Sequence, residues 1–272
     1  MKKRYGVLGS KGKLGSLLSQ REGFVALDAD ITDVKSIRAA VMGWDTPLDV
    51  LVNCAGISSI DECQRDEKKA FKANVRGLST IHSAFGTRVL NVGTDQVFSG
   101  TQFFLQSEGG KREPVNVYGF SKLGAEAVSE IEGGKTIRLS RTISLGDADI
   151  SIILMSLCGR EELKVPSFFF RNYLTRSQAV DGIEYFVNHY DSMPKIVNYG
   201  SEDNVSMLDL ARGIAKTFGL EPAWIVPRKS DSPHFTPRPA WGGFSVKLAK
   251  SLGFPMYDLN TVLEELVRSA NA

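Results

Sequence analysis

Tyr5-Gly6-Val7-Leu8-Gly9-Ser10-Lys11-Gly12-Lys13-Leu14-Gly15 sets a short apolar run directly against a G-x-x-G-x-x-G turn, and a helical pattern from Leu14 to Gln20 follows. The three glycines answer three steric demands. Gly9 allows a tight strand-to-helix turn, Gly12 lets the backbone approach a pyrophosphate lying on the helix N-terminus, and Gly15 lets the helix pack close to the sheet. Taken alone, such a string is equally well ordinary turn chemistry. Its position directly behind an apolar strand makes it a dinucleotide loop. Lys11, Lys13 and Leu14 lie inside the loop and join the candidate cofactor-binding residues.

Working outward, the same alternation repeats. Phe24 to Leu27, Val50 to Asn53, Val89 to Val92 and Lys135 to Leu139 are short apolar runs, as strands buried on both faces require. Helical patterns lie between them at Val34 to Met42, Glu62 to Phe85 and Tyr118 to Ile131. Strand alternating with helix predicts parallel pairing through right-handed crossovers, hence an α/β, doubly wound parallel sheet of the Rossmann type that binds NAD(P). After Gly146 the character changes. Ser151 to Leu157, Gln178 to Val187, Met207 to Phe218 and Leu259 to Ser269 read as helices, and Pro222, Pro227, Pro233, Pro237 and Pro239 break the region before the last of them. The expected division is a dinucleotide-binding core at 1–145 and a small mixed lobe at 146–272. That lobe is mainly substrate-binding and lies over the carboxyl edge of the sheet, with part of it returning to the core.

Tyr118 and Lys122 are spaced i, i+4, which places both on one face of a helix. A lysine ammonium there would favour the phenolate and lower a pKa of about 10 in water, so that the tyrosine exchanges a proton with a substrate oxygen. A lone Y-x-x-x-K is common on solvated helix faces. Here it follows, in order, the glycine loop and Thr94 at the end of the Val89 strand, and the three together predict a hydride-transfer site. Asp28 ends the second strand, where a carboxylate accepts hydrogen bonds from the adenosine ribose and repels a 2′-phosphate. Lys11 and Lys13 pull the other way, since cations in the loop accommodate that phosphate. NAD(H) is favoured, with NADP(H) left open.

Composition agrees with a globular enzyme. The 272 residues are 42% hydrophobic and 24% charged, with a net charge of +2 that leaves no footprint for nucleic acid or acidic membranes. Cys54, Cys63 and Cys158 lack metal-ligand spacing, and His82, His189 and His234 form no metal or triad pattern, so no metal is expected. Met1-Lys2-Lys3-Arg4 looks like the start of a signal segment, but Gly9 to Lys13 interrupts the apolar run. No stretch approaches the ~20 apolar residues of a membrane span. A cytoplasmic protein, as a homodimer, is the expectation.

Several strings together carry a resemblance: Gly9 to Gly15, Asp28-Ala29-Asp30-Ile31-Thr32-Asp33, Val52-Asn53-Cys54-Ala55-Gly56, Asn74-Val75-x-Gly77, Gly93-Thr94-Asp95-Gln96-Val97-Phe98-Ser99-Gly100 and Pro114-Val115-Asn116-Val117-Tyr118-Gly119-x-x-Lys122. Weaker echoes are Arg141-Thr142 and Arg238-Pro239 through Lys247-Leu248. The order resembles the extended short-chain dehydrogenase/reductase superfamily, and within it the dTDP-4-dehydrorhamnose reductase family. The resemblance implies reduction of a nucleotide-linked 4-keto-deoxysugar, with Thr94, Tyr118 and Lys122 catalytic and Thr94 set against the substrate carbonyl. It implies that Asp30 and Ile31 meet the adenine edge, and that Asn53, Cys54, Ala55 and Gly56 pack beside the adenosine half. Asn74 would steady this region, more in a structural than a chemical role. Ser58, Asp95, Gln96, Val97 and Arg238 form the implied substrate-binding set. Asp30 is equally well a helix-cap residue, and Ser58 a turn former.

Departures from the family pattern keep other readings open. The related 4,6-dehydratases follow the threonine with aspartate and glutamate. Here Gln96 replaces the glutamate, and an amide cannot shuttle that proton, so dehydration is disfavoured. Gln96 also stands where the reductases usually have tyrosine, and Ser144 stands where they have a pocket tryptophan. Phe168-Phe169-Phe170 reads as packing or as the wall of a different pocket, while Arg171, Arg176, Arg228 and Arg238 are candidates to hold a diphosphate. The alternatives are a sugar-nucleotide epimerase and a non-catalytic NAD(P)-binding protein resembling the regulatory subunit of methionine adenosyltransferase.

Overall fold

The N-terminal apolar run forms β1 (Tyr5–Leu8), and the glycine turn feeds a single turn of helix, α1 (Gly15–Leu18). The structure is a computed structural model and describes residues 3–44, 47–229 and 236–270. Pro233 and His234 lie outside the described residues. The first half continues through β2 (Phe24–Leu27), α2 (Val34–Met42), β3 (Val50–Asn53), α3 (Ile60–Arg65), α4 (Glu67–Phe71), α5 (Gly77–Phe85), β4 (Val89–Thr94), α6 (Val117–Ile131) and β5 (Lys135–Leu139). The second half begins with β6 (Thr142–Ile143), α7 (Ala148–Gly159), β7 (Leu163–Pro166), β8 (Phe170–Arg171), β9 (Leu174–Thr175) and α8 (Arg176–Asn188). It ends with β10 (Ile196–Tyr199), β11 (Val205–Ser206), α9 (Met207–Thr217), β12 (Ile225–Arg228), α10 (Lys247–Ser251) and α11 (Leu259–Ala270).

Among the described residues the main sheet has six strands in the order β10-β5-β4-β3-β1-β2, every neighbouring pair parallel. Tyr5 lies opposite both Phe24 and Val50, so β1 is an interior strand and its carboxyl end opens at the point where strand order reverses. Alternate side chains divide between two cores. Tyr5, Val7, Val52 and Ile137 pack with Val180, Ile183 and Phe186 of α8. On the opposite face, Leu8, Leu27 and Leu51 meet Ile37, Leu78, Ile81 and Ala125 from α2, α5 and α6. A third core, with Ile153, Leu157, Ile214, Val262 and Leu266, gathers α7, α9 and α11. It carries short strand pairs, β7 with β12 and β8 with β11.

Two expectations are corrected. The helix read from Glu62 to Phe85 is broken: Asp66 leaves helical geometry and its carboxylate caps α4 by accepting from the Lys69 amide at 2.9 Å, and Lys72–Arg76 then forms a π-turn before α5. β10 adds a sixth strand where the sequence shows no continuous apolar run, because Asn198 interrupts it. In the sheet that asparagine is fully buried, its amide donating to Glu108 Oε1 at 3.0 Å while Arg138 donates to its side-chain oxygen at 3.4 Å. From the second half, both α8 and β10 therefore pack into the main sheet.

Candidate active site

At the carboxyl ends of β1, β2 and β3 a cleft of about 340 Å³ opens between Gly9, Lys11, Asp28, Asp30, Ile31, Ala55 and Gly56. Gly9 has φ +76°, and a Cβ there would lie 2.6 Å from the Ala55 amide nitrogen, so the turn needs glycine both for its conformation and for its fit against β3. A Cβ on Gly12 would meet only the Gly9 carbonyl oxygen, at 3.2 Å; the space beside it is clear of protein. Gly15 differs from expectation. Its Cβ would strike the Gly9 carbonyl at 2.2 Å, so this glycine closes the loop on itself instead of bringing the helix to the sheet. A tight glycine turn with one open member, beside a cleft at the switch point, fits the pyrophosphate and adenosine of a dinucleotide.

Asp28 and Lys11, whose expected effects on cofactor choice oppose each other, meet at one side of the cleft. Lys11 Nζ donates to Asp28 Oδ2 at 2.7 Å, with both side chains well exposed, so each offsets the other in this arrangement. Asp30 does not cap α2; Asp33 does, accepting from the Lys35 amide at 2.9 Å. Asp30 instead accepts from the amide and hydroxyl of Thr32, both at 2.8 Å, and those bonds hold its carboxyl below the ordinary range. Lys13 turns away from the cleft to Asp147 at 2.9 Å, which also accepts from Arg176 and from the Ser144 amide. Leu14 packs against the core beneath the loop. Asn53 Oδ1 accepts from the Ala55 amide at 3.1 Å, and burial pushes the half-buried Cys54 thiol up to about 12. Asn74, in the π-turn, is a brace: it pairs with Ile57 through both N–H and C=O and donates to Ser121 Oγ at 2.8 Å.

Thr94, Tyr118 and Lys122 converge at the end of β4. Asn116 caps α6, accepting from the Gly119 amide at 2.8 Å, and so fixes the first turn that carries Tyr118. Hydrogen bonding joins the Tyr118 and Thr94 side chains. Lys122, 8% exposed, donates from Nζ to the Val92 carbonyl at 2.7 Å. The expected lowering of the tyrosine pKa is corrected. Burial drives Tyr118 well above its ordinary value, reinforced by the nearby Asp95 charge, while burial also lowers Lys122 to about 8 despite Glu126. Desolvation disfavours the phenolate and the ammonium alike. Tyr118 is thus held as a neutral phenol.

Asp95 and Gln96, implied to meet substrate, are buried and already partnered. Asp95 Oδ1 accepts from Thr94 Oγ1 at 3.2 Å and from Gln96 Nε2 at 3.4 Å. Its Oδ2 lies 3.1 Å from Arg171 Nε, an ion pair of charge rather than of hydrogen-bond alignment. Burial raises the Asp95 pKa against the opposing pull of Arg171. Arg171 is therefore committed inside the protein and not free for a diphosphate. Val97 is wholly buried among Phe98, Phe244 and Val246, so its side chain is core. Ser58 is exposed in the loop before α3, whose cap is Ser59. Arg238 reaches Asp61 at 3.4 Å. Asn116 as cap and Arg171 as ion-pair partner join the site through the structure. The cap preference for asparagine just ahead of a helix signals the first, and nothing local signals the second. Among the described residues no group of three His, Cys, Asp or Glu side chains is placed to hold a metal, and no helix is long and apolar enough to cross a membrane.

A doubly wound sheet with a glycine turn at its switch point and a Thr–Tyr–Lys set at β4 defines an extended short-chain dehydrogenase/reductase. More narrowly, the chain belongs to the family described as RmlD substrate binding domain, which matches residues 4–271. It is 26% identical over 251 residues to the spore coat polysaccharide biosynthesis protein SpsK of Bacillus subtilis, covering 89% of this chain and 86% of that protein. It is 24% identical over 302 residues to the dTDP-4-dehydrorhamnose reductase of Mycolicibacterium smegmatis, covering 98% of this chain and 86% of the relative. A crystal structure of dTDP-4-dehydrorhamnose reductase from Bacillus anthracis in complex with NADP shares the fold, with a TM-score of 0.88 at 19% identity over 98% of this chain and 99% of that one.

Proposed function

We propose that the protein reduces a nucleotide-linked 4-keto-deoxysugar, as a dTDP-4-dehydrorhamnose reductase does, using NAD(H) or NADP(H). The observation that carries this reading is the meeting of Thr94, Tyr118 and Lys122 at the end of β4, next to a glycine-lined cleft, in a chain of this family. When bound, the dihydronicotinamide supplies the hydride to the C4 carbon. Tyr118, kept protonated by burial, gives its phenolic proton to the carbonyl oxygen. Thr94, whose single hydroxyl proton goes to Asp95 at 3.2 Å, turns that proton to the same oxygen as charge grows there. Lys122, poised near pH 8, stabilises the transient phenolate and returns its proton.

Gly9, Gly12, Gly15 and Lys11 would hold the pyrophosphate side, with Ala55 and Gly56 along the adenosine. Asp28 would take the ribose hydroxyls of NADH. Swung free of Asp28, Lys11 would meet the 2′-phosphate of NADPH. The lobe built from 146–272, with Ser58 and Arg238, would hold the nucleotide-sugar. Dehydration lacks a base: Gln96 is an amide and Asp95 is tied to Arg171. The complete Thr–Tyr–Lys set speaks for turnover rather than a purely regulatory role. A homodimer, acting in the cytoplasm, belongs to the same proposal and is tested by sedimentation of the purified chain. The deciding assay follows absorbance loss of NADH and NADPH with a panel of dTDP-linked and UDP-linked 4-keto sugars. Absence of turnover with every one of them would sink the reductase reading.

A further inference from the structure

Residues Pro237 to Trp241 form a strap held at one end by the cap of the Tyr118 helix and at the other by Arg171, the ion-pair partner of Asp95. At one end the Pro237 carbonyl accepts from Asn116 Nδ2 at 2.9 Å, and Asn116 is the cap of the helix carrying Tyr118. At the other, Arg171 Nη2 donates to the Pro239 carbonyl at 2.7 Å, and its Nη1 faces the carbonyls of Phe170 at 2.6 Å and Ala240 at 3.4 Å. Two side chains join these ends beneath the strap. Asn116 Nδ2 also donates to Gln96 Oε1 at 3.3 Å, Gln96 Nε2 donates to Asp95 Oδ1 at 3.4 Å, and Asp95 Oδ2 pairs with Arg171 Nε at 3.1 Å.

We propose that Gln96 and Arg171 are positioning residues that, with Asn116 and Asp95, close a buried ring of hydrogen bonds and one ion pair, locking the 237–241 strap to Thr94 and to the cap of the Tyr118 helix. The assignment of Thr94 and Tyr118 as catalytic rests on the reading above; the ring itself does not. Each member suits its place chemically. The Gln96 amide donates to a carboxylate through its nitrogen while its oxygen accepts from an asparagine; an ionised glutamate at 96 would set a second acceptor against Asp95. Only a guanidinium fork reaches one carboxylate and several carbonyls at once; a lysine has a single point of charge. The strap is fitted to that fork, since a Cβ on Gly242 would lie 2.2 Å from Arg171 Nη1. The next layer is also close: a Cβ on Gly100 would lie 2.5 Å from Pro239 Cβ, the Trp241 amide donates to the Gly100 carbonyl at 3.0 Å, and the indole stacks on Phe170 at 4.0 Å and 7°.

The consequence for function is that Gln96 and Arg171 act through Thr94 and the strap, not by touching substrate. Loosening the ring lets Thr94 Oγ1 drift from the place where its contact with Asp95 holds it, and frees Arg238, which the strap carries to Asp61.

Hydrogen exchange on the full-length protein tests the ring without needing turnover. The Trp241 and Gly242 amides, donors to Gly100 and Phe170, report the strap, and the Val7 amide in β1 reports the sheet. In Arg171→Met and in Gln96→Glu the two strap amides should exchange about 10-fold faster or more, with Val7 unchanged. Where Arg171→Met folds poorly because Asp95 is left charged and alone, the double variant Asp95→Asn/Arg171→Met restores the fold and should still show fast strap exchange. With an active substrate, Gln96→Glu should lower kcat by about 10-fold while KM also rises, as misorientation of both hydroxyl and strap requires. Wild-type exchange at Trp241 and Gly242 in both Gln96→Glu and the double variant overturns the proposal. Fast strap exchange in a protein that reduces no sugar would uphold the ring and count only against the reductase assignment.

Discussion

Replacing Lys122 with methionine should remove activity and at the same time make the protein more stable. The ammonium is 8% exposed and its pKa falls from the ordinary 10.5 to about 8, with burial the leading cause. That displacement corresponds to a folding cost of about 3 kcal/mol. The sign follows from proton counting. Below pH 8 folded and unfolded chains both carry the proton, and the cost is fully present. Between pH 8 and 10.5 the unfolded lysine still holds its proton while the folded one has shed it, so stability rises with pH. Above 10.5 the cost is gone. Methionine fills nearly the same volume without charge, but it forfeits the bond from Nζ to the Val92 carbonyl, worth about 1 kcal/mol. A net gain of about 1–2 kcal/mol near neutral pH should remain, which for a chain of this size is a rise in Tm of about 2–6 °C. Differential scanning calorimetry from pH 7 to pH 10 reads it. The advantage of Lys122→Met should narrow as pH rises past 8. A variant that is less stable than wild type by a pH-independent amount would refute the reasoning and place the lysine in an environment far better solvated than its burial implies.

Tyr118→Phe should lower kcat by about 10²-fold or more, with dinucleotide affinity by calorimetry nearly intact, as loss of a positioned acid requires; undiminished turnover would end the mechanism. Gly12→Val should abolish NADH binding with little change in Tm, because the added atoms meet only the Gly9 carbonyl and otherwise fill the space meant for the pyrophosphate; retained affinity would move the loop's role elsewhere. Asp28→Ala should shift discrimination toward NADPH, since it removes a carboxylate that repels the 2′-phosphate and frees Lys11 from its 2.7 Å pairing; an unchanged ratio of kcat/KM for the two cofactors would refute that contact. Glu126→Gln should cost about 3–5 kcal/mol in urea unfolding, because Arg138, fully buried, loses a two-point pairing at 2.8 Å on each arm. A loss below about 1 kcal/mol would mean that the pair behaves as an exposed one.

What the chain determines by itself is whatever depends on neighbours in sequence. Tyr5 to Leu8 followed by Gly9-x-x-Gly12 reads as strand then turn because the apolar run and the steric need for glycine are both local, and β1, β2, β3 and β5 fall where the runs place them. Tyr118 and Lys122 share a face because helix geometry fixes i, i+4. Thr94 follows from its place at the end of a strand. Tertiary structure decided the rest, for a common reason: each depends on groups far apart in the chain. β10 exists because Arg138 and Glu108 satisfy its buried asparagine, which no run of apolar residues could announce. The direction of the Tyr118 and Lys122 shifts comes from desolvation, and only the packed fold excludes the water. Gln96 and Arg171 looked like groups for a ligand until the fold brought Asp95, Asn116 and the 237–241 strap around them, and a buried polar side chain takes whichever partner the fold supplies.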